Sequence, residues 1–281
     1  MKNIFWFVKQ SLGLDSTFLM ASNWPMSKRI KFIMIKYYLI IKHFVVPFRL
    51  GKSRIKLFNN TIYYDSRFGL AGYQRILSTH QRLLKISKVR NIKTIVDVGA
   101  NVGYFSMLGR MMFPKAKIYA IEPITKVFRL LEMNFNSDLK IKLFNSCISD
   151  SNKKVFMTFD EQNPALSRVS EKGKLGVKAL TLDSLIISNE IKTLDILKID
   201  TEMYEQNVLY GAQKTLERTK YLFIEITLKN NQLYTFSSLI SLLYKPKKFN
   251  FQLVSFRNFA DVSEGEIPIV DCLFKNINYH E

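Results

Sequence analysis

The chain has 281 residues and a formal net charge of +19, from 42 Lys and Arg against 23 Asp and Glu. Because 47% of its residues are hydrophobic and 13% aromatic, the composition excludes a disordered chain and allows either one large α/β domain with an appendage or two small domains. The charge favours anionic partners such as phospholipid headgroups, acidic glycans or nucleic acid. The alternative is that coding bias, which makes Lys, Ile and Asn abundant together, produces the positive charge without any such partner.

Residues 1–53 form a basic segment in which Asp15 is the one acid. Placed on a helix, residues 27–46 separate into a basic arc and an apolar arc, and the apolar arc includes Ile33, Met34 and Tyr37. This pattern is typical of an amphipathic helix lying in a membrane interface. It is also typical of a helix whose apolar arc packs on the following domain or on a second subunit, and we prefer the packing interpretation.

The chain is predicted to be cytoplasmic, with a possible peripheral contact on the inner membrane face. The N-terminal stretch carries Lys9 inside its apolar part and has no small-residue cleavage site, which argues against a secretory signal. Lysines interrupt the apolar region 30–48, so it is too short to span a bilayer. Cys147 and Cys272 belong to no C-x-x-C motif, which argues for a reducing compartment and against structural zinc.

A single α/β domain is predicted for residues 54–281. It begins with a small β element in which Asn59 and Asn60 form a turn, followed by a helix over 72–87. From residue 92, apolar strands alternate with helical segments, and a hairpin is inserted at 153–182. This alternation predicts a Rossmann-like fold: a mostly parallel seven-stranded sheet with helices on both faces, preceded by a helical N-terminal extension.

The stretch "VDVGANVGYFS", residues 96–106, places Asp97, Gly99 and Gly103 at the end of the first strand. Gly99 allows a sharp turn and a close approach of a ligand to the main chain. Gly103 begins the next helix, whose free N–H groups point towards whatever is bound. Because parallel sheets bind ligands at the carboxyl ends of their strands, this turn is predicted to cradle a ligand.

S-adenosylmethionine is the ligand that these residues favour. Glu122 ends the second strand, where a carboxylate accepts hydrogen bonds from both hydroxyls of a ribose. A dinucleotide site requires G-x-G-x-x-G, but its second glycine is Asn101 here. Asp97 would also repel a pyrophosphate and attract the sulfonium and ammonium groups of S-adenosylmethionine. The third strand ends at "CISD", where Ser149 and Asp150 are predicted to lie near the adenine edge or, alternatively, to form an ordinary loop cap.

Several motifs in this order resemble the FkbM-type family of class I methyltransferases over about residues 54–275. They are "TIVDVGANVGYFS", "IYAIEP", "CISD", "TLDSL", "LKIDTEMYEQNVLYGA" and "YLFIEI". The resemblance implies S-adenosylmethionine-dependent transfer of a methyl group to a hydroxyl oxygen, often on a sugar of a glycan or on a natural-product scaffold. The matching cofactor-binding residues are Asp97, Val98, Gly99, Ala100, Asn101, Gly103, Glu122, Pro123, Ser149 and Asp150.

The resemblance further assigns an acidic segment after the fourth strand and an acid on the fifth. These residues are Asp200, Glu202, Glu205 and Glu225. Met203 stands where the family usually has glycine, and we expect its side chain to narrow or reshape the acceptor pocket.

A hydroxyl acceptor needs a base, and Asp200, Glu202 and Glu225 are the candidate catalytic residues, with Asp200 preferred. Crowding of like charges would raise the pKa of one of these acids. The same acids would also bind a divalent metal, which we consider possible but do not favour. Glu205 is expected to be a first-turn helix acid, and Lys198 to be either a plain strand residue or the partner of an acid.

Two other functions remain open at this stage. The net charge is compatible with an RNA ribose methyltransferase, although "IDTE" lacks the D/N-P-P motif of base amine methylation and a nucleic-acid partner is not expected. A non-catalytic, membrane-associated protein with a relic fold is the second alternative. Asp183 in "TLDSL" is expected to cap the helix that follows it.

Overall fold

The structure is a computed structural model. It describes residues 19, 25–45, 52–57, 60–65, 83, 86, 91–159, 167–227, 236–258 and 269–279. Most of the helix predicted at 72–87 lies outside them, although Leu83 and Ile86 are helical and buried. The first 18 residues of the basic segment also lie outside them.

The N-terminal part contains one helix and one hairpin. Helix α1 spans Met26–Val45. Strands β1 (Lys52–Leu57) and β2 (Asn60–Asp65) pair antiparallel, as the asparagine turn predicts. A domain boundary between 53 and 54 would cut through β1, because Ser53 pairs with Tyr64.

The rest of the chain alternates strands and helices. Its elements are β3 (Thr94–Val98), α2 (Tyr104–Met112), β4 (Lys117–Ile121), α3 (Thr125–Phe135), β5 (Ile141–Phe144), β6 (Cys147–Ile148), β7 (Lys153–Met157), β8 (Leu175–Leu180), α4 (Leu182–Ser188), β9 (Leu194–Ile199), α5 (Glu205–Tyr210), α6 (Gln213–Glu217), β10 (Thr219–Thr227), α7 (Phe236–Ser241), β11 (Tyr244–Lys245), β12 (Phe249–Asn258) and β13 (Ile269–Asn276).

The main sheet has the strand order β11-β12-β13-β10-β9-β3-β4-β5. The five strands from β10 to β5 are parallel, and β13, β12 and β11 continue the sheet antiparallel. Within the described residues the main sheet therefore has eight strands, including the two-residue β11, where seven were predicted. Strands β3 and β9 are apolar and buried almost throughout, because both of their faces are covered.

The predicted third strand, 141–149, is divided between two sheets. Only β5 joins the main sheet, whereas β6 pairs parallel with β8 in a second, three-stranded sheet together with β7. Asn145 lies at the division and donates from its side chain to the carbonyls of Glu122 and Pro123. At Asn145 these side-chain hydrogen bonds replace the backbone hydrogen bonds that pair β5 with β4, and the chain leaves the main sheet at this point.

The segment after β9 forms two short helices, α5 and α6, which are interrupted at Gly211. A Cβ on Gly211 would lie 2.0 Å from the carbonyl oxygen of Ser149, so this close approach requires glycine. The capping prediction for Asp183 is wrong in its target: Thr181 caps α4 by accepting from the Ser184 N–H. Asp183 instead accepts from the N–H groups of Lys214 and Thr215 at the start of α6.

Helix α1 buries a different side from the one predicted. Phe32, which lies among the basic positions, is fully buried, whereas Met34 in the apolar arc is 66% exposed. Ile33 and Tyr37 are half-buried against the core. Packing on the domain therefore covers only part of the apolar arc among the described side chains. Within the described chain, no helix combines the length and apolar character that crossing a bilayer requires.

Candidate functional site

A cleft opens at the carboxyl ends of the central parallel strands. The chain runs from β3 to β4 and β5 on one side and later to β9 and β10 on the other, so the strand order reverses between β3 and β9. Open α/β sheets bind ligands at such a switch point. The cleft and its open mouth together contain about 670 Å³ of space that no protein atom fills.

The loop after β3 is shaped by left-handed backbone at Gly99 (φ 74°), Asn101 (φ 54°) and Gly103 (φ 95°). A Cβ on Gly99 would lie 1.9 Å from the carbonyl oxygen of Asp200, and one on Gly103 would lie 2.3 Å from the ring of Phe135. Gly99 therefore allows two loops of the protein to approach each other, in addition to exposing its backbone to the cleft. Gly103 allows α2 to pack closely on α3.

Glu122 holds this loop in place from the end of β4. Its two carboxylate oxygens accept from the backbone N–H groups of Asn101 and Ile124, each at 2.9 Å. Burial raises the pKa of Glu122 to about 7, although these two hydrogen bonds and the charge of Lys198 oppose the shift. The side chain also lines the cleft, so it is available to a ligand while it positions Asn101.

Lys198 on β9 lies at the centre of the charged groups. Its Nζ donates to the carbonyl of Gly99 at 2.6 Å and lies 3.2 Å from Oδ1 of Asp97 and 3.5 Å from Oδ2 of Asp200. Oδ1 of Asp97 accepts no well-directed hydrogen bond, so its contact with Lys198 is an ion pair through charge. The other oxygen of Asp97 accepts from Ser106 Oγ at 2.7 Å.

Asp97 is completely buried and does not line the cleft. The cation that it attracts in this structure is the protein's own Lys198, whereas the sequence predicted that the ligand would be this cation. A lysine within an otherwise buried strand is rarely left unpaired. This rule is the signal in the sequence that would have identified Lys198 as a site residue.

The three candidate catalytic acids converge. Carboxylate oxygens of Asp200, Glu202 and Glu225 all lie within 4.8 Å of one another. Asp200 and Glu202 line the cleft, and Glu225 is buried on β10. Three oxygen donors at this spacing fit a hard divalent cation. They equally fit a binding site for the hydroxyl groups of an acceptor.

Glu205 has a structural position, as expected. It is 1% exposed, and Oε1 accepts from the N–H of Thr201 at 2.9 Å and from its hydroxyl at 3.1 Å. The carboxylate therefore closes the turn that joins β9 to α5. This turn carries Asp200 and Glu202.

Met203 affects the backbone of that turn more than the shape of the cleft. Glu202 (φ 51°) and Met203 (φ 72°) are consecutive left-handed residues with side chains, a conformation that glycine adopts without strain. The side chain of Met203 packs against the apolar core, and it is not among the residues that line the cleft. The expected narrowing of the pocket by this side chain is therefore absent from the structure.

Ser149 and Asp150 lie behind the cleft wall. The hydroxyl of Ser149 contacts Tyr204 Oη at 2.9 Å and donates to Asp150, which pairs with Lys153 at 2.6 Å. The wall itself is formed by Cys147 and Ile148, and Tyr204 also lines the cleft. Burial raises the pKa of the Cys147 thiol to about 12, so this side chain is neutral. The other predicted loop residues divide similarly: Val98 and Pro123 line the cleft, and Ala100 and Gly103 do not.

The methyltransferase FkbM domain matches residues 97–253, which is more than half of the chain and includes every element of the cleft. The chain belongs to the FkbM methyltransferase family. It is thus an S-adenosylmethionine-dependent methyltransferase, and the resemblance inferred from its motifs is confirmed.

The individual relatives of this FkbM methyltransferase share only low sequence identity with it. The hexuronic acid methyltransferase AglP of Haloferax volcanii is 25% identical over 193 residues, which are 64% of this chain and 78% of that protein. The 2-O-methyltransferase NoeI of Sinorhizobium fredii is 22% identical over 168 residues, 53% of this chain and 69% of that protein. Among solved structures, M. jannaschii TYW2 in complex with AdoMet aligns with a TM-score of 0.43 and 13% identity, over 83% of this chain and 90% of that one.

Proposed function

We propose that this FkbM methyltransferase transfers a methyl group to a hydroxyl oxygen. The acceptor that we favour is a sugar, free or within a glycan, and the second is a natural-product scaffold. The observation that carries the proposal is the convergence of Asp200, Glu202 and Glu225 beside the glycine loop. Carboxylates accept hydrogen bonds from hydroxyl groups and can deprotonate them. They make no such interaction with an apolar acceptor. AglP, named for a hexuronic acid, and NoeI, named as a 2-O-methyltransferase, support the same class of acceptor.

For the cofactor, the proposal uses the residues that surround the β3–β4 end of the cleft. Each oxygen of Glu122 accepts one backbone N–H and retains a lone pair for a ribose hydroxyl. The backbone of Gly99 and Asn101 borders the same space, and Cys147 and Ile148 form the wall for an adenine ring. Asp97, Ser149 and Asp150 act indirectly in this scheme, through Lys198 and Tyr204.

When bound, S-adenosylmethionine would supply an electrophilic methyl group, with the thioether S-adenosylhomocysteine as the leaving group. The protein must then hold the acceptor oxygen about 3 Å from that carbon, in line with the sulfur, and must accept the hydroxyl proton. We assign the proton to Asp200, because it lines the cleft and directly follows β9. Lys198, 3.5 Å away, favours the ionised carboxylate that such a base requires. Glu202 and Glu225 are then placed to orient the other hydroxyls of a sugar.

A metal-assisted version of this chemistry is less favoured. The three acids fit a divalent cation as ligands, and such an ion would activate the acceptor hydroxyl. However, the ammonium of Lys198 already provides positive charge beside Asp200. A second cation at that carboxylate would be opposed by charge repulsion.

The experiment follows formation of S-adenosylhomocysteine by the purified chain with uronic acids, neutral sugars, glycans and RNA as acceptors, with and without a chelator. Asp200→Asn keeps the shape of the side chain and removes the base, so we expect kcat to fall at least about a hundredfold. Cofactor affinity, measured by titration calorimetry, should remain nearly unchanged. Glu171→Gln also replaces a carboxylate by its amide, at an exposed residue of the turn before β8, and is the control.

Three results would contradict the proposal. Methylation of RNA in preference to every sugar would replace the acceptor class. Undiminished kcat in Asp200→Asn would transfer the role of base to another residue. Activity that disappears with the chelator and returns with Mg²⁺ would establish the metal-assisted version.

A further inference from the structure

Helix α1 exposes a continuous apolar stripe. Met26, Ile30, Met34 and Tyr38 are 54%, 48%, 66% and 59% exposed. They follow one another at intervals of four residues, and side chains at i and i+4 lie on the same face of a helix. The exposed side chains are therefore neighbours along one face, about three turns long.

The opposite side of the helix is the one fixed to the protein. Phe32 is fully buried there, and the guanidinium of Arg29 donates to the carbonyl of Leu19. This anchoring leaves the apolar stripe outward. Large apolar side chains that stand together on a surface mark an interaction site more often than isolated ones do.

Charge identifies the kind of partner. The helix carries Lys28, Arg29, Lys31, Lys36 and Lys42 and no acid, and the sequence contains no Asp or Glu from residue 16 to residue 64. Lys31 is exposed and lies next to the stripe. An apolar face bordered by lysine matches a bilayer surface, where the apolar groups enter the acyl region and the ammonium groups meet anionic headgroups.

We propose that the Met26–Ile30–Met34–Tyr38 face of α1 binds the surface of an anionic phospholipid bilayer and holds the methyltransferase there as a peripheral protein. A second copy of the chain fits this face less well. A two-fold dimer would bring the same basic border against itself, and like charges repel. RNA also fits it less well, because Met and Ile side chains provide no hydrogen bonds to phosphates or bases.

The test is co-sedimentation of the 281-residue chain with vesicles of phosphatidylcholine alone or mixed with phosphatidylglycerol. We expect binding to the mixed vesicles at low salt that weakens as salt rises, since headgroup attraction is screened. Met34→Glu places a charge in the centre of the stripe and should weaken binding at least about tenfold. Leu139→Glu makes the same kind of change at a fully exposed residue elsewhere, and it should bind like the unaltered chain.

Charge is tested in the same assay. Lys31→Glu should weaken binding about tenfold, because one cation is lost and one anion is gained near the surface. Lys172→Glu, on the exposed turn of the small sheet, should have little effect. All four variants should keep the melting temperature and cofactor affinity of the unaltered chain, which separates a surface effect from misfolding.

Three outcomes would overturn the proposal. The first is absence of binding to the anionic vesicles, and the second is equal loss of binding in Met34→Glu and Leu139→Glu. The third is a chain that does not bind vesicles but forms a dimer in sedimentation velocity, which Met34→Glu dissociates. That result would assign the stripe to self-association.

Discussion

Lys198 connects the glycine loop to Asp200, the proposed base. Its ammonium contacts Asp97, Asp200 and the carbonyl of Gly99, so one cation compensates a carboxylate on β3 and another directly after β9. Without it, Asp97 would be a fully buried charge whose one hydrogen-bond partner among the described residues is the hydroxyl of Ser106. Leaving such a charge unpaired is costly. The geometry of the switch point therefore depends on this lysine, although it is not needed to touch either substrate.

Glu122 gives the site a dependence on pH that can be measured. Burial raises its pKa from 4.5 to about 7, so the empty protein is stabilised by this group at low pH. That stabilisation is fully present below pH 4.5 and is lost as the pH rises through 7. Ribose hydroxyls donate to the ionised form, so cofactor binding should show the opposite trend. We expect affinity to fall by up to about tenfold from pH 8 to pH 6.

Titration calorimetry at both pH values tests this expectation. Glu122→Gln should have a nearly flat affinity profile. Glu122→Ala should bind at least about tenfold more weakly at pH 8, because a charge-assisted hydrogen bond contributes about 1.5–3 kcal/mol. Equal profiles for the unaltered chain and Glu122→Gln would remove Glu122 from the ribose site.

At the scale of the element, the turn between β9 and α5 stores backbone strain. Glu202 and Met203 both have positive φ, which costs a side-chain-bearing residue roughly 1 kcal/mol. Glu205 offsets part of this cost by closing the turn onto Thr201. The strained conformation directs Glu202 towards Asp200 and Glu225.

Comparing two substitutions separates this strain from the packing of the methionine side chain. Met203→Ala and Met203→Gly both lose the side chain, but only glycine relieves the backbone. Met203→Gly should therefore exceed Met203→Ala by about 1 kcal/mol in free energy of unfolding, measured by urea denaturation. Lys214, an exposed residue of helix α6, is the control. There the glycine variant should be less stable than the alanine variant, because glycine is the poorer helix former. A Met203→Gly variant no more stable than Met203→Ala would show that the turn is unstrained.

Sequence patterns predicted the strands of the main sheet and the loops at their carboxyl ends, because buried parallel strands are long apolar runs. They did not predict the division of 141–149 between two sheets. That division depends on the side chain of Asn145, which bonds to carbonyls of a separate segment. Met203 shows the same limit. The sequence shows that methionine replaces the usual glycine, but only the backbone conformation shows that this change affects the turn rather than the cleft.

At the scale of the whole molecule, the N-terminal hairpin is hydrogen-bonded to α3 beside the glycine loop. Asn134 on α3 accepts from the N–H of Tyr63 at 2.7 Å and donates to the carbonyls of Tyr63 at 2.9 Å and of Val102 at 2.7 Å. One side chain thus joins β2 to the glycine loop. We propose that the catalytic unit begins no later than Lys52, the first residue of β1, and that the basic segment before it is a separate extension.

Substitution of Asn134 tests whether the hairpin and the loop are coupled. Asn134→Ala leaves three partly buried backbone groups without this partner, so the free energy of unfolding should fall by about 2 kcal/mol. Cofactor affinity should fall as well, because the loop at Val102 loses an anchor. Asn134→Asp can still accept from Tyr63 but cannot donate, so it should retain only part of the stability and little of the affinity. Asn152→Ala removes an amide oxygen that accepts from Thr181 and Ser184 beside the small sheet. Asn152→Ala should lower the free energy of unfolding without changing the affinity for the cofactor. An equal loss of cofactor affinity in both alanine variants would mean that Asn134 acts through global stability rather than through the loop.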